Sequence, residues 1–388
     1  MKFNKNMLEF IRSLKILFLS AAFILMALFS VILNCKRASP PEVQKINSQL
    51  QISKKNNLFK FAKNGNVWAA VWQTDYTSWD SPVQIEKKRN YILTFDENFK
   101  ILSGPEYFSS TPHFTILPVQ EGFAIIYGER HTDKLECVKG VLYSIKKNKL
   151  KKDGCILPHG YNFIPADYNN PFEDIAAFSA NGKIFMPAES QEKTSKIFSV
   201  YPGEDEKELI TITEDDRIKL TLFSGSFNQN YMFAWVGLPR YSSKPITSGM
   251  HYMIADSEYK EIKRGKLNPL FVGRLKFIED NNGFSLLSGD SLHKYNHEGK
   301  EKGRGKKLLN AKASIYNEET SFYDSSCLIT FQTHDGLEGS PVANLFTCRK
   351  GKSVRMKDFM FISSYCSKNK CIVSRGNSLK TVLEWHDM

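Results

Sequence analysis

The chain is poor in the patterns that usually announce a chemistry. It has no Cys-x-x-Cys pair and no histidine spacing to match one, so neither a metal site nor another cofactor is expected. Ribonucleoprotein aromatics, zinc-finger spacing and a helix-turn-helix are also missing, which excludes a nucleic-acid partner despite a net charge of +12. Charged residues make up only 24% of the chain against 13% aromatics, and no low-complexity tract follows Asn56. Disorder is thereby excluded for most of its length. One long hydrophobic run exists, at residues 16–33, and no helical stretch separates the shorter apolar segments that follow it.

What those shorter segments share is a pattern. Residues 122–128 read Gly-Phe-Ala-Ile-Ile-Tyr-Gly, and related runs stand at 67–72, 183–186, 231–236, 284–287, 327–331 and 371–373. Their apolar positions are mostly consecutive rather than alternating, and β-branched or aromatic residues dominate with Gly, Asn or Asp nearby. Each therefore reads as a strand covered on both faces. The runs recur about every 50 residues, and a four-stranded unit repeated at that period without helices is the pattern of a β-propeller. The expected fold is all-β, a propeller of seven four-stranded blades over residues 56–388, with six or eight blades, or a β-sandwich, as alternatives. WD dipeptides, kelch glycines and sialidase-like Asp boxes are absent, so no named propeller family is indicated.

The seventh unit runs out of chain before its outer strand. A ring must close or expose an unpaired edge, and Ile46, Leu50 and Ile52 sit at near-strand spacing upstream of the first unit. That segment is placed to supply the missing strand and join the two ends of the chain.

The N-terminus carries Lys2, Lys5, Arg12 and Lys15 against Glu9, then the apolar run, then Asn34-Cys35. This is the layout of an export signal, although a run of about 20 apolar residues is also long enough to span a bilayer. Ile32-Leu33-Asn34-Cys35 resembles the lipobox of bacterial lipoproteins, in the looser spirochaete-type form that takes Asn before the cysteine. The resemblance implies cleavage before Cys35, a diacylglycerol on its sulfur, and a protein held to the cell envelope, outer membrane or cell surface through acyl chains. Residues 1–34 are then a signal peptide, and 35–55 a polar tether stiffened by Pro40-Pro41. The chain after the signal keeps a charge of +9, which favours acidic partners or anionic head groups.

Six further cysteines in an exported chain suit disulfides. Cys327 and Cys348 lie equally far from residues 335–340, and Cys366 and Cys371 flank residues 367–370, so hairpins would set each pair face to face. Cys137 and Cys155 remain, paired by elimination.

Catalytic machinery is not visible. Gly289-Asp-Ser-Leu292 spells the nucleophile block of the GDSL hydrolases, but the only Asp-x-x-His, Asp290 to His293, overlaps it and supplies no independent base. A turn at Gly289-Asp290 is the expected role, and His293 and His297 read as a solvated pair on a strand end. Loops between second and third strands all open on one face of a propeller, and two are long. Residues 74–90 bring Tyr76, Trp79 and Arg89, and residues 237–249 bring Arg240, Tyr241 and Lys244, a pairing of aromatics with cations that suits a binding surface. The sequence thus points to a monomeric, membrane-anchored binding module for an acidic glycan, lipid or protein. The alternatives are a glycan-processing hydrolase or lyase using carboxylates such as Asp75, Glu129 and Asp335 at the mouth, and a structural protein of the envelope.

Overall fold

The computed structural model describes residues 41–387 apart from 54–55, 79–84, 112, 129–137, 159, 164–174, 176, 181, 191–194, 205–206, 213–217, 228–229, 240–249, 268–274, 281–282, 289–290, 297–299, 304–305, 308–314, 324–325, 335–340, 348–351, 357–360, 368–369 and 377–379. Residues 1–40, with the expected signal and Cys35, lie outside the described residues.

Every regular element among the described residues is a strand, and the strands pair into seven antiparallel sheets. Blade 1 comprises Asn56–Asn64, Val67–Ser78, Ile85–Phe95 and Ile101–Ser109. Blade 2 comprises His113–Val119, Gly122–Gly128, Lys139–Ser144 and Lys149–Cys155. In blade 3, Tyr161–Phe163 and Phe178–Ala180 both pair with Lys183–Ser190, followed by Ser195–Val200 and Lys207–Ile212. Blade 4 comprises Ile218–Phe227, Asn230–Pro239, Met250–Ala255 and Glu261–Leu267. Blade 5 comprises Leu275–Asp280, Gly283–Ser288, Ser291–Tyr295 and Lys306–Lys307. Blade 6 comprises Ile315–Tyr323, Ser326–His334, Pro341–Thr347 and Lys352–Met356. Blade 7 starts with Phe361–Ser367, Lys370–Gly376 and Lys380–Asp387. First strands adjoin between blades 1 and 2, 2 and 3, 3 and 4, 4 and 5, and 6 and 7, and Phe361–Ser367 of the last blade lies against Asn56–Asn64 of the first, so they form the inner wall.

The consecutive apolar runs follow from this stacking. Along Gly122–Gly128, which is buried throughout, Phe123, Ile125 and Tyr127 pack with Val71, Ile92 and Phe108 of blade 1. Ala124 and Ile126 pack on the other side with Ile184, Met186 and Phe198 of blade 3. Val67–Ser78 behaves alike: Trp68, Ala70 and Trp72 meet blade 7, while Ala69 and Val71 meet blade 2. A second strand has neighbours on both faces and no solvent side, so alternation disappears from its sequence.

The two ends of the chain meet in blade 7. Gln49–Ser53 lies antiparallel along Lys380–Asp387, with Gln49 opposite Glu384 and Ser53 opposite Lys380. Leu50 and Ile52 are fully buried, in one cluster with Phe59, Trp68, Ile372 and Leu383. The closing segment is more than one strand, because Val43–Ile46 folds back on Gln49–Ser53 and makes the blade five-stranded. Residues 43–53, expected at the end of a tether, are thus part of a sheet.

A turn recurs between third and fourth strands. In Asp96-Glu-Asn-Phe-Lys100 the Asp96 carboxylate accepts the backbone N–H of Asn98 and Lys100, which together with nearby Lys45 holds it below the ordinary carboxylate range. In Asp256-Ser-Glu-Tyr-Lys260, Asp256 binds Glu258 and Lys260 in the same way. The fourth residue is left-handed in both, Phe99 at φ 57° and Tyr259 at φ 67°. Its ring wedges against the preceding blade: Phe99 stacks on Trp385 at 4.7 Å, and Tyr259 lies 5.7 Å from Phe185. A lysine from that preceding blade completes the contact. Lys183 donates to the Tyr259 hydroxyl at 2.8 Å, and Lys370 donates to the Glu97 carbonyl at 3.2 Å while lying over Trp385.

Candidate binding surface

Residues 74–78 and 85–90 are paired strand rather than loop. Val67–Ser78 and Ile85–Phe95 pair continuously from Trp68 opposite Phe95 to Ser78 opposite Ile85. The inner strand of the blade ends at Asn56 opposite Thr74, and the outer strand ends at Ser109 opposite Asn90. The pairs from Asp75 opposite Lys88 to Ser78 opposite Ile85 therefore stand alone as a two-stranded ribbon. At a rise of about 3.3 Å per residue the ribbon projects by roughly 10–13 Å. Tyr76 lies on it by backbone register, opposite Lys87, and Trp79 lies outside the described residues. In blade 4, Asn230–Pro239 likewise carries the pairing as far as Pro239 opposite Ile218. Arg240, Tyr241 and Lys244 lie outside the described residues.

At the base of the ribbon Arg89 is half-buried, its guanidinium 5.7 Å from the centre of the Tyr107 ring. Tyr107 is 44% exposed, and Tyr91 meets it edge-on from beneath at 6.1 Å. A half-exposed aromatic face beside a planar cation can stack on a sugar ring. Sequence reading missed Tyr107, which sits in an outer strand with no distinguishing neighbours.

A buried polar chain fixes this base. Gln73 Nε2 donates to Asn90 Oδ1 at 3.1 Å, and Asn90 Nδ2 donates to the Thr111 carbonyl at 2.7 Å. The Ser109 and Thr111 hydroxyls share a hydrogen bond at 2.8 Å. Asn90 is fully buried and Gln73 nearly so, and amides so placed require partners. The chain ties the crossover into blade 2 to the two strands of the ribbon, so Arg89 is set by rigid backbone. Nearby, burial pushes the Tyr127 hydroxyl up from its ordinary range, and the neighbouring Tyr107 adds to the shift.

The other expected sites are distributed as follows. Cys366 and Cys371 face each other across the first hairpin of blade 7 and are bonded, with S–S 2.03 Å. Cys155 is disulfide-bonded, and Cys137 lies outside the described residues. Cys327 is one residue before Leu328, which stands opposite Thr347; Cys348, next along, is outside the described residues. Ser288 pairs with Ser291, so Gly289 and Asp290 fall between the two arms of a hairpin. His293 departs from expectation. Its Nδ1 lies 2.9 Å from Glu301 Oε1, and both side chains are over four-fifths buried, because the strand end folds back toward Glu301. His297, Glu129 and Asp335 lie outside the described residues, and Asp75 lies on the ribbon opposite Lys88. Among the described residues no group of His, Cys, Asp and Glu side chains is arranged to hold a metal ion.

No family model matches the chain, and no curated protein matches it. Solved structures do. A puromycin hydrolase is 10% identical with a TM-score of 0.50, over 92% of this chain and 54% of that one. The acylaminoacyl peptidase of Pyrococcus horikoshii is 10% identical with a TM-score of 0.51, over 86% and 52%. The β-propeller domain of the Trilobed protease from Pyrococcus furiosus, described as having an open velcro topology, is 10% identical with a TM-score of 0.49, over 85% and 98%. This chain spans about half the length of the first two structures. At such identity the likeness is one of fold, and it agrees with the ring of sheets read from the strand pairing.

Proposed function

We propose that this β-propeller is an exported, monomeric binding module, held to the cell envelope by a lipid on Cys35, and that its ligand is an acidic glycan, lipid or protein. The observation that carries the reading is the surface at the base of the blade 1 ribbon. Arg89 and Tyr107 present a cation and an exposed ring on backbone fixed by a buried amide chain, which is how a recognition surface is pre-organised. The likeness to hydrolase and peptidase structures adds the fold alone. A lipid at Cys35 rests on the sequence around it, and acyl chains at about 0.8 kcal/mol per buried methylene would hold the protein stably when two or more are present.

The test is a binding screen with the full chain in detergent, against immobilised anionic and neutral polysaccharides. The reading expects charge-dependent retention that falls at least tenfold in the double variant Arg89→Ala, Tyr107→Ala, with the melting temperature unchanged. Retention indifferent to both substitutions would remove the ribbon base as the site. Depolymerisation of a retained polysaccharide would replace the binding reading with a glycan-processing enzyme.

A further inference from the structure

Four rings stand in a row across the face of blade 1 that meets blade 7, one from each strand of the blade. Phe59 stacks on Trp72 at 5.7 Å with the ring planes 10° apart, Trp72 on Tyr91 at 6.0 Å and 29°, and Tyr91 meets Tyr107 edge-on at 6.1 Å. All three separations fall in the range at which aromatic pairs are in contact. Exposure changes abruptly along the row. Phe59, Trp72 and Tyr91 are buried in the cluster that holds Leu50 and Ile52 of the closing segment, while Tyr107 stands at the surface.

Trp72 and the two tyrosines are side chains that can give up an electron, and their surroundings rank them. Trp72 is fully buried, and its Nε1 has no hydrogen-bond partner among the described residues, so an oxidised indole there keeps its proton and its positive charge. A charge in such a place is costly. Tyr107 is the opposite case. At the surface it can release its hydroxyl proton to water and end as a neutral phenoxyl radical, and the Arg89 guanidinium 5.7 Å from the ring centre disfavours the charged alternative. Phe59, at the inner end of the row, is much harder to oxidise than an indole or a phenol. Trp68 and Trp385, the other two indoles of this seam, lie under the ammonium groups of Lys63 and Lys370 at 5.0 Å and 4.6 Å, which makes electron loss from them harder too. The gradient runs from Trp72 outward.

We propose that Trp72, Tyr91 and Tyr107 form an electron relay that carries oxidising equivalents out of the closing seam, with Tyr107 as the site where they are delivered. A one-electron oxidant, such as an inorganic radical, removes an electron from Trp72. Tyr107 then passes an electron to Trp72 through Tyr91 and loses its proton to water, which restores the indole and leaves the radical on the Tyr107 oxygen. A reductant of the ascorbate or thiol class returns the electron, and water returns the proton. The relay depends neither on the ligand nor on a lipid at Cys35.

The test is laser flash photoionisation of the full chain in detergent, with dissolved oxygen scavenging the ejected electron and the indole and phenoxyl radicals followed by their separate absorption bands. The phenoxyl signal should rise as the indole signal falls, in a first-order phase whose rate does not change with protein concentration. Trp72→Phe and Tyr107→Phe should each remove that phase, and Tyr91→Phe should slow it by an order of magnitude or more. Each substitution keeps an aromatic ring in place, with the melting temperature checked, and the surface position of Tyr107 lets that variant carry the test should Trp72→Phe loosen the seam. A nitroso spin trap located by mass spectrometry should be found on Tyr107. A phase that persists in Tyr107→Phe or keeps its rate in Tyr91→Phe, or adducts spread evenly over the other tyrosines, would overturn the proposal.

Discussion

At the scale of single residues the most consequential group is Glu384. It lies opposite Gln49 across the seam and accepts from Gln49 Nε2 at 2.9 Å and Arg375 at 2.7 Å, with His386 Nε2 at 2.8 Å. Burial alone would push its carboxyl up, but His386 and Arg375 together hold it below its ordinary value of 4.5. A depressed folded value means that the stabilisation is fully present above pH 4.5, and is lost as pH falls from there through the lower folded value. Glu384→Gln should therefore cost about 1.5–3 kcal/mol near neutrality, because it removes a carboxylate that accepts charge-assisted hydrogen bonds from Arg375 and His386. Melting curves of both proteins should converge as pH falls below 4.5; a gap that stays constant on acidification would show that the carboxylate charge is not what matters. None of this cluster was legible in sequence. Nothing in the spacing of Arg375, Glu384 and His386 marks them as a cluster, and Gln49 is brought to Glu384 only where the two ends of the chain pair.

At the scale of elements, the parts that sequence made plain are those whose burial leaves a one-dimensional trace. Second strands were readable because both faces are covered, so Phe123 to Tyr127 cannot alternate. The closing strand was readable because a ring short of one strand has a single place to find it, and Leu50 and Ile52 supply apolar side chains at spacing two. The blade 1 ribbon was not readable: Asp75 to Ser78 pair only with their partner strand, and Asp-Tyr-Thr-Ser shows no apolar alternation to mark it as strand. The wedge turns escaped notice because they repeat only as Asp-x-x-aromatic-Lys, and what matters in them is the left-handed aromatic, which propensity disfavours. Two predictions belong here. Leu50→Ala removes a fully buried side chain from the seam and should lower stability by about 2–4 kcal/mol. A chain lacking residues 43–53 should lose far more, measured by denaturant unfolding, and unchanged stability in either would refute a structural seam. Phe99→Gly relieves the backbone but removes the ring from Trp385, so a net loss of about 2–3 kcal/mol is expected. A gain in melting temperature would mean that backbone strain outweighs the wedge.

At the scale of the whole molecule, the N-terminal chain serves twice. It closes the ring through residues 43–53, and in the proposed reading its preceding residues tie that seam to a membrane. The whole account turns on what Cys35 carries. Intact mass of the chain from its native host, with metabolic labelling by a radioactive or clickable fatty acid and a Cys35→Ala variant alongside, tests this directly. The account predicts a chain that starts at Cys35, a mass increment of two or three acyl chains, and loss of label in the variant. An uncleaved, unlabelled chain would contradict it and make residues 16–33 a membrane-spanning anchor.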